Sequence, residues 1–341
     1  MEAKQMMRIL STVIVCLSMM FIAACGGSGT PPTTTATQQA TAKVELPKFD
    51  ADSAYGYVKA QVDFGPRVPN SNEHRLCGDY LADKLKSYGA EVVNQNMELV
   101  AYDGTKLQAR NIIGQFQPEK KKRVMLCAHW DSRPWADADP DATKHRTPIL
   151  GANDGASGVG VLLEIARLLS HTPTEVGIDI IFFDAEDYGT HNADDDPSRE
   201  SMDHSWALGS QYWSRRPHKS GYNARYGILL DLVGAPGSTF YKEGISMHYA
   251  PTLVDKIWNM AHKAGHGKFF INEQGGYVTD DHYYVNEFFG LPCVDIINYD
   301  KESDNGFGKY HHTIKDDMDW IDRESLRAVG ETVVAVIYNE K

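Results

Sequence analysis

Cysteine is scarce in this sequence, with five residues among 341. The three that follow Cys25 are Cys77, Cys127 and Cys293, an odd number at wide spacing. That spacing indicates neither a disulfide framework nor a zinc site built from cysteine thiolates. Cys127 and Cys293 lie in apolar runs, which indicates buried packing residues rather than reactive thiols.

The sequence also lacks an excess of positive charge. Lysine and arginine together number 34 against 46 acidic residues, which gives a formal charge of −12. A field of that sign repels nucleic acid and anionic lipid headgroups, so the composition argues against a nucleic-acid-binding function. The hydrophobic content of 42% is enough for a sizeable core.

The apolar run at the N-terminus, residues 9–24, is too short for a typical membrane-spanning helix. Basic residues Lys4 and Arg8 precede it, as in a secretory signal. Small residues then precede Cys25, as in bacterial lipoproteins, which predicts a signal peptide over 1–24 and lipid on the Cys25 sulfur. An ordinary signal peptide and a single internal membrane anchor are the alternatives.

Residues 25–43 are rich in Gly, Pro, Thr and Gln without an apolar period, which predicts a flexible tether. Residues 44–341 show neither an internal repeat nor a second linker, and we expect one α/β domain there. Together these features predict a monomer of the bacterial cell envelope that faces the periplasm and is attached through Cys25 alone. Gly26, in place of an aspartate after the cysteine, favours the outer membrane.

Strand-like apolar runs alternate with segments of helical periodicity beyond residue 70. The runs are 124–128, 178–183, 226–233 and 293–299, and the helical segments are 71–89, 155–170, 252–264 and 321–338. This alternation predicts a three-layer α/β/α sandwich with a central mixed, mostly parallel sheet. In such sheets the ligand site lies at the carboxyl ends of the strands.

Polar clusters stand where the strand-like runs end, or in the loops that follow. They are His129 and Asp131, Asp154, Glu186 and Asp187, Asp231, Asp280 and His282, and His311 and His312. A single such residue is usually a turn or cap residue, but several carboxylates at one edge repel one another unless a cation lies among them. Histidine with aspartate or glutamate is a ligand set that suits Zn²⁺.

Glu186 and Asp187 are neighbours in the sequence, so both can reach one point only if the chain splays them at a strand end. One carboxylate would then bind metal, and the other would stand free beside it as a proton carrier. The alternative is a solvated acidic loop, which is our interpretation of the aspartates at 194–196.

The motifs together resemble the zinc aminopeptidase-type metallohydrolases, and within them the animal-type, zinc-dependent glutaminyl cyclases in a bacterial lipoprotein form. The resemblance runs from about residue 50 to the C-terminus. It rests on FGPRVP (64–69), the His129-x-Asp131 pair, GANDGASG (151–158), FFDAED (182–187), SWALGSQYW (205–213), DLVG (231–234), DDH (280–282) and HHT (311–313).

The resemblance implies one zinc ion per chain, with Asp154, Asp187 and His312 as its ligands. It further implies Glu186 as the proton shuttle, with Asp231 and Asp280 in a hydrogen-bond network beside it. The implied enzyme is an acyltransferase that converts the N-terminal glutamine of peptides and secreted proteins to pyroglutamate and releases ammonia.

The sequence departs from the animal enzymes around the substrate pocket. His311 stands where they carry a tryptophan, and Asp295 where they carry a histidine. Trp206, which lies in a different loop from His311, is the candidate for an aromatic wall of the substrate pocket. These three residues are the expected pocket residues.

Two other functions remain open at this point. A two-zinc aminopeptidase would use His129 and Asp231 for a second metal, with Asp154 bridging the two ions. A non-catalytic binding lipoprotein would reuse the scaffold, although such relatives usually lose the base or a metal ligand.

Overall fold

Residues 45–190, 204–303 and 305–341 are described by a computed structural model and form eight strands and eight α-helices. The strands are β1 Glu91–Val100, β2 Lys106–Phe116, β3 Arg123–His129, β4 Gly177–Phe183, β5 Gly227–Asp231, β6 Phe240–Lys242, β7 Phe270–Gln274 and β8 Cys293–Ile297. The helices are α1 Ala51–Val62, α2 Asn72–Ser87, α3 Ala156–His171, α4 Leu208–Arg215, α5 Gly244–Tyr249, α6 Pro251–Lys263, α7 Asp281–Tyr284 and α8 Arg323–Tyr338. The predicted signal peptide (1–24) and tether (25–43) lie outside the described residues.

Six strands form the central sheet, in the order β1-β2-β4-β3-β5-β8. Strands β4, β3, β5 and β8 are parallel, and their runs of buried residues are what a sheet covered on both faces requires. The hairpin β1–β2 adds antiparallel pairings at one edge. The predicted mixed, mostly parallel sheet is confirmed.

Alternate residues along the inner strands pack into two separate cores. Leu126 and Ile180 belong to the larger core, together with residues of α1, α2, α3, α6 and α8. Cys127 and Ile181 face the smaller core, where they meet residues of α4 and of the π-helical turn Val285–Phe289 that follows α7. Helices therefore cover both faces of the sheet, and the predicted three-layer sandwich is confirmed.

Three boundaries differ from the prediction because of local backbone geometry. Strand β5 ends at Asp231 rather than 233 because Leu232 adopts a left-handed conformation, with φ of 51°. Helix α3 begins after Gly155, whose φ of 88° is not helical. Helix α8 begins later than 321 because the side chain of Asp322 caps its first turn.

Gly158 allows α3 to lie directly against β5. A Cβ atom at this position would lie 2.2 Å from the main-chain oxygen of Leu230. Since that oxygen belongs to the sheet, Gly158→Ala is expected to lower the free energy of unfolding by about 1–3 kcal/mol. Chemical denaturation measures this loss, and unchanged stability would contradict the packing described.

A search of the helices within the described ranges finds none that is both long and apolar enough to cross a bilayer.

Candidate active site

The polar residues meet at the edge of the sheet where the parallel strands end. His129 is the last residue of β3 and Asp231 the last of β5, while Glu186 and Asp187 follow β4 within four residues. Sharp turns accompany them, since Ala185, Leu232 and His312 have φ values of 53°, 51° and 54°. Left-handed non-glycine residues are costly and tend to cluster at functional sites.

Asp131 splays the side chains of Glu186 and Asp187. Its Oδ1 accepts a hydrogen bond from the Glu186 main-chain nitrogen, and its Oδ2 accepts one from the Asp187 nitrogen, each at 3.1 Å. Asp131 is fully buried, so this clamp is shielded from water. The turn at Ala185 and this clamp together direct the two neighbouring carboxyl groups into one cavity, which both of them line.

Asp154 is held on a loop that two buried polar residues, Asp316 and Arg67, brace. The Asp316 carboxylate accepts hydrogen bonds from the main-chain nitrogens of Asn153 (2.7 Å) and Asp154 (3.0 Å). The fully buried Arg67 donates to the main-chain oxygens of Trp130 (2.9 Å) and Gly151 (2.8 Å). The loop before α3 is thereby tied to the end of β3.

The three expected zinc ligands lie together. His312 Nε2 is 3.4 Å from Asp187 Oδ1 and 3.6 Å from Asp154 Oδ2. Asp187 Oδ2 is buried and has no hydrogen-bond partner among the described residues. Burial, helped by Arg133, lowers the pKa of His312 to about 4, so its imidazole is neutral at pH 7 and can offer a lone pair. Two carboxylates and a neutral imidazole fit Zn²⁺.

A second group shares Asp154 with the first. His129 Nε2 lies 3.0 Å from Asp154 Oδ1 and 3.2 Å from Asp231 Oδ1. Burial acts to lower the pKa of His129, but its contacts with Asp131, Asp154 and Asp231 outweigh burial and raise it well above the usual range. His129 Nε2 lies between one carboxyl oxygen of Asp154 and one of Asp231. These atoms are also close enough to hold a metal ion.

Glu186 and Asp231 have raised proton affinities for the same reason. Burial raises the pKa of Glu186 well above its usual range, although the charge of His129 opposes this rise. Burial likewise raises the pKa of Asp231 to about 7. A carboxyl group of this kind takes up a proton near neutral pH more readily than an exposed one.

These groups line a cavity of about 460 Å³. Its apolar part includes Leu232, Ile297 and Phe307, and its lining also contains Asp280, Trp206 and His311. The Trp206 ring stacks on His312, with centroids 5.9 Å apart and planes 9° apart. His311 stacks on His312 from another direction, at 3.7 Å.

Asp295, an expected pocket residue, lies outside the lining of this cavity. It is fully buried in β8, two residues before the strand ends, and its register partner is Leu229. Its Oδ2 lies 3.8 Å from His282 Nδ1. Of the three expected pocket residues, Trp206 and His311 line this cavity and Asp295 does not.

Residues 111–337 match the profile of peptidase family M28. The chain belongs to this family. Among solved structures, a glutaminyl cyclase of Bacteroides thetaiotaomicron bound to N-acetylhistamine is 60% identical, with a TM-score of 0.84, over 87% of this chain and 100% of that one. A leucine aminopeptidase precursor from the same organism is 59% identical, with a TM-score of 0.83, over 88% and 100%.

Curated M28-like relatives are more distant. Aminopeptidase YwaD of Bacillus subtilis is 28% identical over 80% of this chain and 54% of that protein. A glutaminyl-peptide cyclotransferase of Drosophila melanogaster is 26% identical over 52% of this chain and 47% of that protein. The chain thus spans about half the length of these curated relatives. The predicted resemblance to the metallohydrolases and their cyclase branch is confirmed.

Arg133 is a residue of this M28 site that the sequence patterns did not single out. It is fully buried, and its Nε and Nη2 atoms each donate to a carboxylate oxygen of Asp137 at 2.7 Å. Its Nη1 atom lies 3.4 Å from Asp187 Oδ1. Its guanidinium carbon lies 4.6 Å from the centre of the Trp206 ring. Its position four residues after His129, in a loop that leaves the sheet edge, was the available signal.

Proposed function

We propose that this chain is a zinc-dependent glutaminyl-peptide cyclotransferase that closes an N-terminal glutamine to pyroglutamate with release of ammonia. The likeness to the Bacteroides thetaiotaomicron cyclase, 60% identical over 87% of this chain, carries the proposal. The carboxyl group of Glu186, which lines the same cavity as Asp187, supports it.

Asp154, Asp187 and His312 would hold the zinc ion, because His312 Nε2 lies within 3.6 Å of a carboxylate oxygen of each aspartate. Asp187 also has a second, buried oxygen that finds no hydrogen-bond partner among the described residues. Bound there, zinc supplies a Lewis acid that polarises the side-chain amide carbonyl of the glutamine. We propose one ion per chain. His129 Nε2 lies within 3.2 Å of both Asp154 and Asp231 and so occupies the space between them that a second ion would need.

Glu186 moves the proton in this scheme. The substrate α-amine forms a bond to the side-chain amide carbon, and Glu186 accepts the proton that the amine loses. Glu186 then donates that proton to the departing amide nitrogen as the carbon–nitrogen bond breaks and ammonia leaves. The buried surroundings that raise the pKa of Glu186 suit a group that must first accept and then return a proton.

Asp231 and Asp280 would face the oxygen and nitrogen atoms of the tetrahedral intermediate. Both line the cavity, and burial raises the pKa of each, that of Asp231 to about 7. One of the two carboxyl groups can therefore keep a proton near neutral pH and donate a hydrogen bond, while the other accepts one.

Trp206 forms the wall against which the glutamine side chain would pack, and Gly189 makes room for it. A Cβ atom on Gly189 would lie 2.0 Å from the Trp206 ring. We expect Gly189→Ala to displace the ring and raise KM for glutamine peptides about 10-fold, equivalent to roughly 1.4 kcal/mol of lost contact. Gly56→Ala is the matched control, because no atom lies within 4 Å of its added Cβ.

Steady-state kinetics with a glutaminyl peptide measure both variants. Zinc content should be the same in both, since the nearest atoms to the added Cβ of Gly189 belong to Trp206 and that of Gly56 meets no atom within 4 Å. An unchanged KM in Gly189→Ala would remove Trp206 from the proposed pocket.

A two-zinc aminopeptidase is the second candidate function. The grouping of His129, Asp154 and Asp231 at metal-ligand spacing favours it, as does the 59% identity to a leucine aminopeptidase precursor. The two functions differ in the nucleophile, which is the substrate amine in the cyclase and an activated water in the peptidase.

Mass spectrometry of the products from glutaminyl-alanine and leucyl-alanine tests the choice. The cyclase yields ammonia and pyroglutamyl-alanine from the first peptide and leaves the second intact. Release of free alanine from either peptide would identify the aminopeptidase. Intact peptides in the presence of bound zinc would favour the non-catalytic binding protein.

We further propose that the protein acts as a monomer on the N-termini of secreted proteins, attached to the envelope through lipid on Cys25 and facing the periplasm. The signal-like residues 1–24 and the tether-like composition of 25–43 support this placement. Labelling of the cells with a radioactive fatty acid tests it, since Cys25→Ala should abolish the label on this protein.

A further inference from the structure

Three polar residues form a buried group behind the cavity. The side chains of Asp280, His282 and Asp295 each place one polar atom within 4.8 Å of the others. His282 and Asp295 are fully buried, and Asp280 is nearly so. His282 Nδ1, Asp280 Oδ2 and both Asp295 oxygens have no hydrogen-bond partner within the part of the chain that the structure describes. Only Asp280 of these three reaches the cavity lining.

A fourth residue, Glu243, contacts this group and the chain on either side of Asp280. Its Oε1 accepts hydrogen bonds from the main-chain nitrogens of Ile245 (2.7 Å) and Val278 (3.0 Å). Its Oε2 accepts from the Ser246 nitrogen (2.6 Å) and lies 3.0 Å from His282 Nε2. Burial opposes ionisation of Glu243, but these contacts outweigh it and lower its pKa to about 2.

The contacts of Glu243 bracket Asp280 in the sequence. Val278 precedes Asp280 by two residues and His282 follows it by two, so one carboxylate holds the chain on both sides. Because the ionised Glu243 accepts at Oε2, His282 donates its Nε2 proton there, and its ring is fixed with Nδ1 facing Asp295 at 3.8 Å.

We propose that Glu243 and His282 are positioning residues that hold the Asp280 carboxyl group in its catalytic orientation. Neither residue lines the cavity, and both act through the backbone and side chain that carry Asp280. This inference rests on the proposed cyclase function, in which Asp280 contacts the reacting atoms.

Glu243→Gln tests the proposal, with Glu164→Gln as its matched control. The substitution places an amide NH₂ where Glu243 now accepts from two donors, and it leaves the volume unchanged. Glu164 is equally buried and accepts from the Asp50 nitrogen and from Arg167, but on α3 and outside the cavity lining. Both variants lose buried hydrogen bonds, but Glu164→Gln, outside the cavity lining, reports the structural cost alone.

We expect kcat of Glu243→Gln to fall about 10- to 100-fold, as for a catalytic group that is slightly misplaced, with KM nearly unchanged. Glu164→Gln should keep its kcat, and zinc content should stay the same in both. If Glu243→Gln does not fold, His282→Gln removes the link to Asp280 and leaves the main-chain contacts of Glu243 in place.

The double variant Glu243→Gln/Asp280→Asn gives the sharper result. If Glu243 acts through Asp280, the double variant is no slower than Asp280→Asn alone. The proposal would be overturned if the fall in kcat of the double variant equalled the product of the two single falls. An unchanged kcat in Glu243→Gln and His282→Gln would overturn it as well. So would a second metal ion per chain that His282→Gln removes, because the group would then be a metal site. If the unmodified protein forms no pyroglutamate from glutaminyl peptides, the cyclase function is refuted, and with it the role of Asp280.

Discussion

Replacing Glu186 with glutamine is expected to lower kcat for glutaminyl peptides by about 100- to 10,000-fold, the usual contribution of a positioned proton carrier. The amide cannot accept the proton that the attacking amine loses, and it has none to return to the departing ammonia. Glu186 lies beside the proposed ligand Asp187 without belonging to the ligand set, so zinc content should stay near that of the unmodified protein. Metal analysis and single-turnover kinetics measure the two quantities.

Glu164→Gln again serves as the control, since it makes the same chemical change in a buried glutamate outside the cavity lining. A Glu186→Gln protein that keeps kcat within a few-fold of the unmodified enzyme would show that another group carries the proton. Loss of zinc together with activity would place Glu186 among the metal ligands.

Asp187→Ala is expected to abolish turnover by a different route, through loss of the metal. Its Oδ2 atom is buried and has no hydrogen-bond partner in the described part of the chain. Its Oδ1 atom lies 3.4 Å from His312 Nε2. Removing a direct ligand should weaken zinc binding by more than about 100-fold, since loss of an outer-shell partner alone costs about 10- to 100-fold. Zinc titration of the metal-free protein measures the change.

His129→Ala separates the one-zinc and two-zinc alternatives in the same titration. With a single ion held by Asp154, Asp187 and His312, this variant keeps its full zinc content. A fall from two zinc ions to one would identify His129 as a ligand and favour the aminopeptidase.

An Asp187→Ala protein that binds zinc as tightly as the unmodified protein would refute the proposed ligand set.

The parallel strands and the residues at their ends could be predicted because both leave strong local signals. Runs such as 178–183 are apolar on both faces, which only a covered strand allows, and a polar residue directly after such a run stands out. The edge strand β1 carried no such signal, because it alternates exposed and half-buried residues and includes Asn94 and Asn96.

The supporting residues of the site could not be found in this way, because their partners are distant in the sequence. Asp316 braces Asp154 across 162 residues, and Glu243 contacts His282 across 39. Nothing near Glu243 in the sequence marks it as part of the site, since an acidic residue at a helix start is usually explained by the helix dipole, and Glu243 also caps α5. Asp295 was expected in the pocket from a family position, and such an alignment does not show whether its side chain reaches the cavity lining, which it does not.

The most direct test of the cyclase function is the fate of solvent oxygen. When glutaminyl-alanine is converted in water enriched in the heavy oxygen isotope, the substrate amine is the nucleophile and no water enters the product. We therefore expect pyroglutamyl-alanine without heavy oxygen, and one ammonia released for each peptide consumed. Heavy oxygen in a released amino acid would show that water is the nucleophile, which would contradict the cyclase and identify a hydrolase.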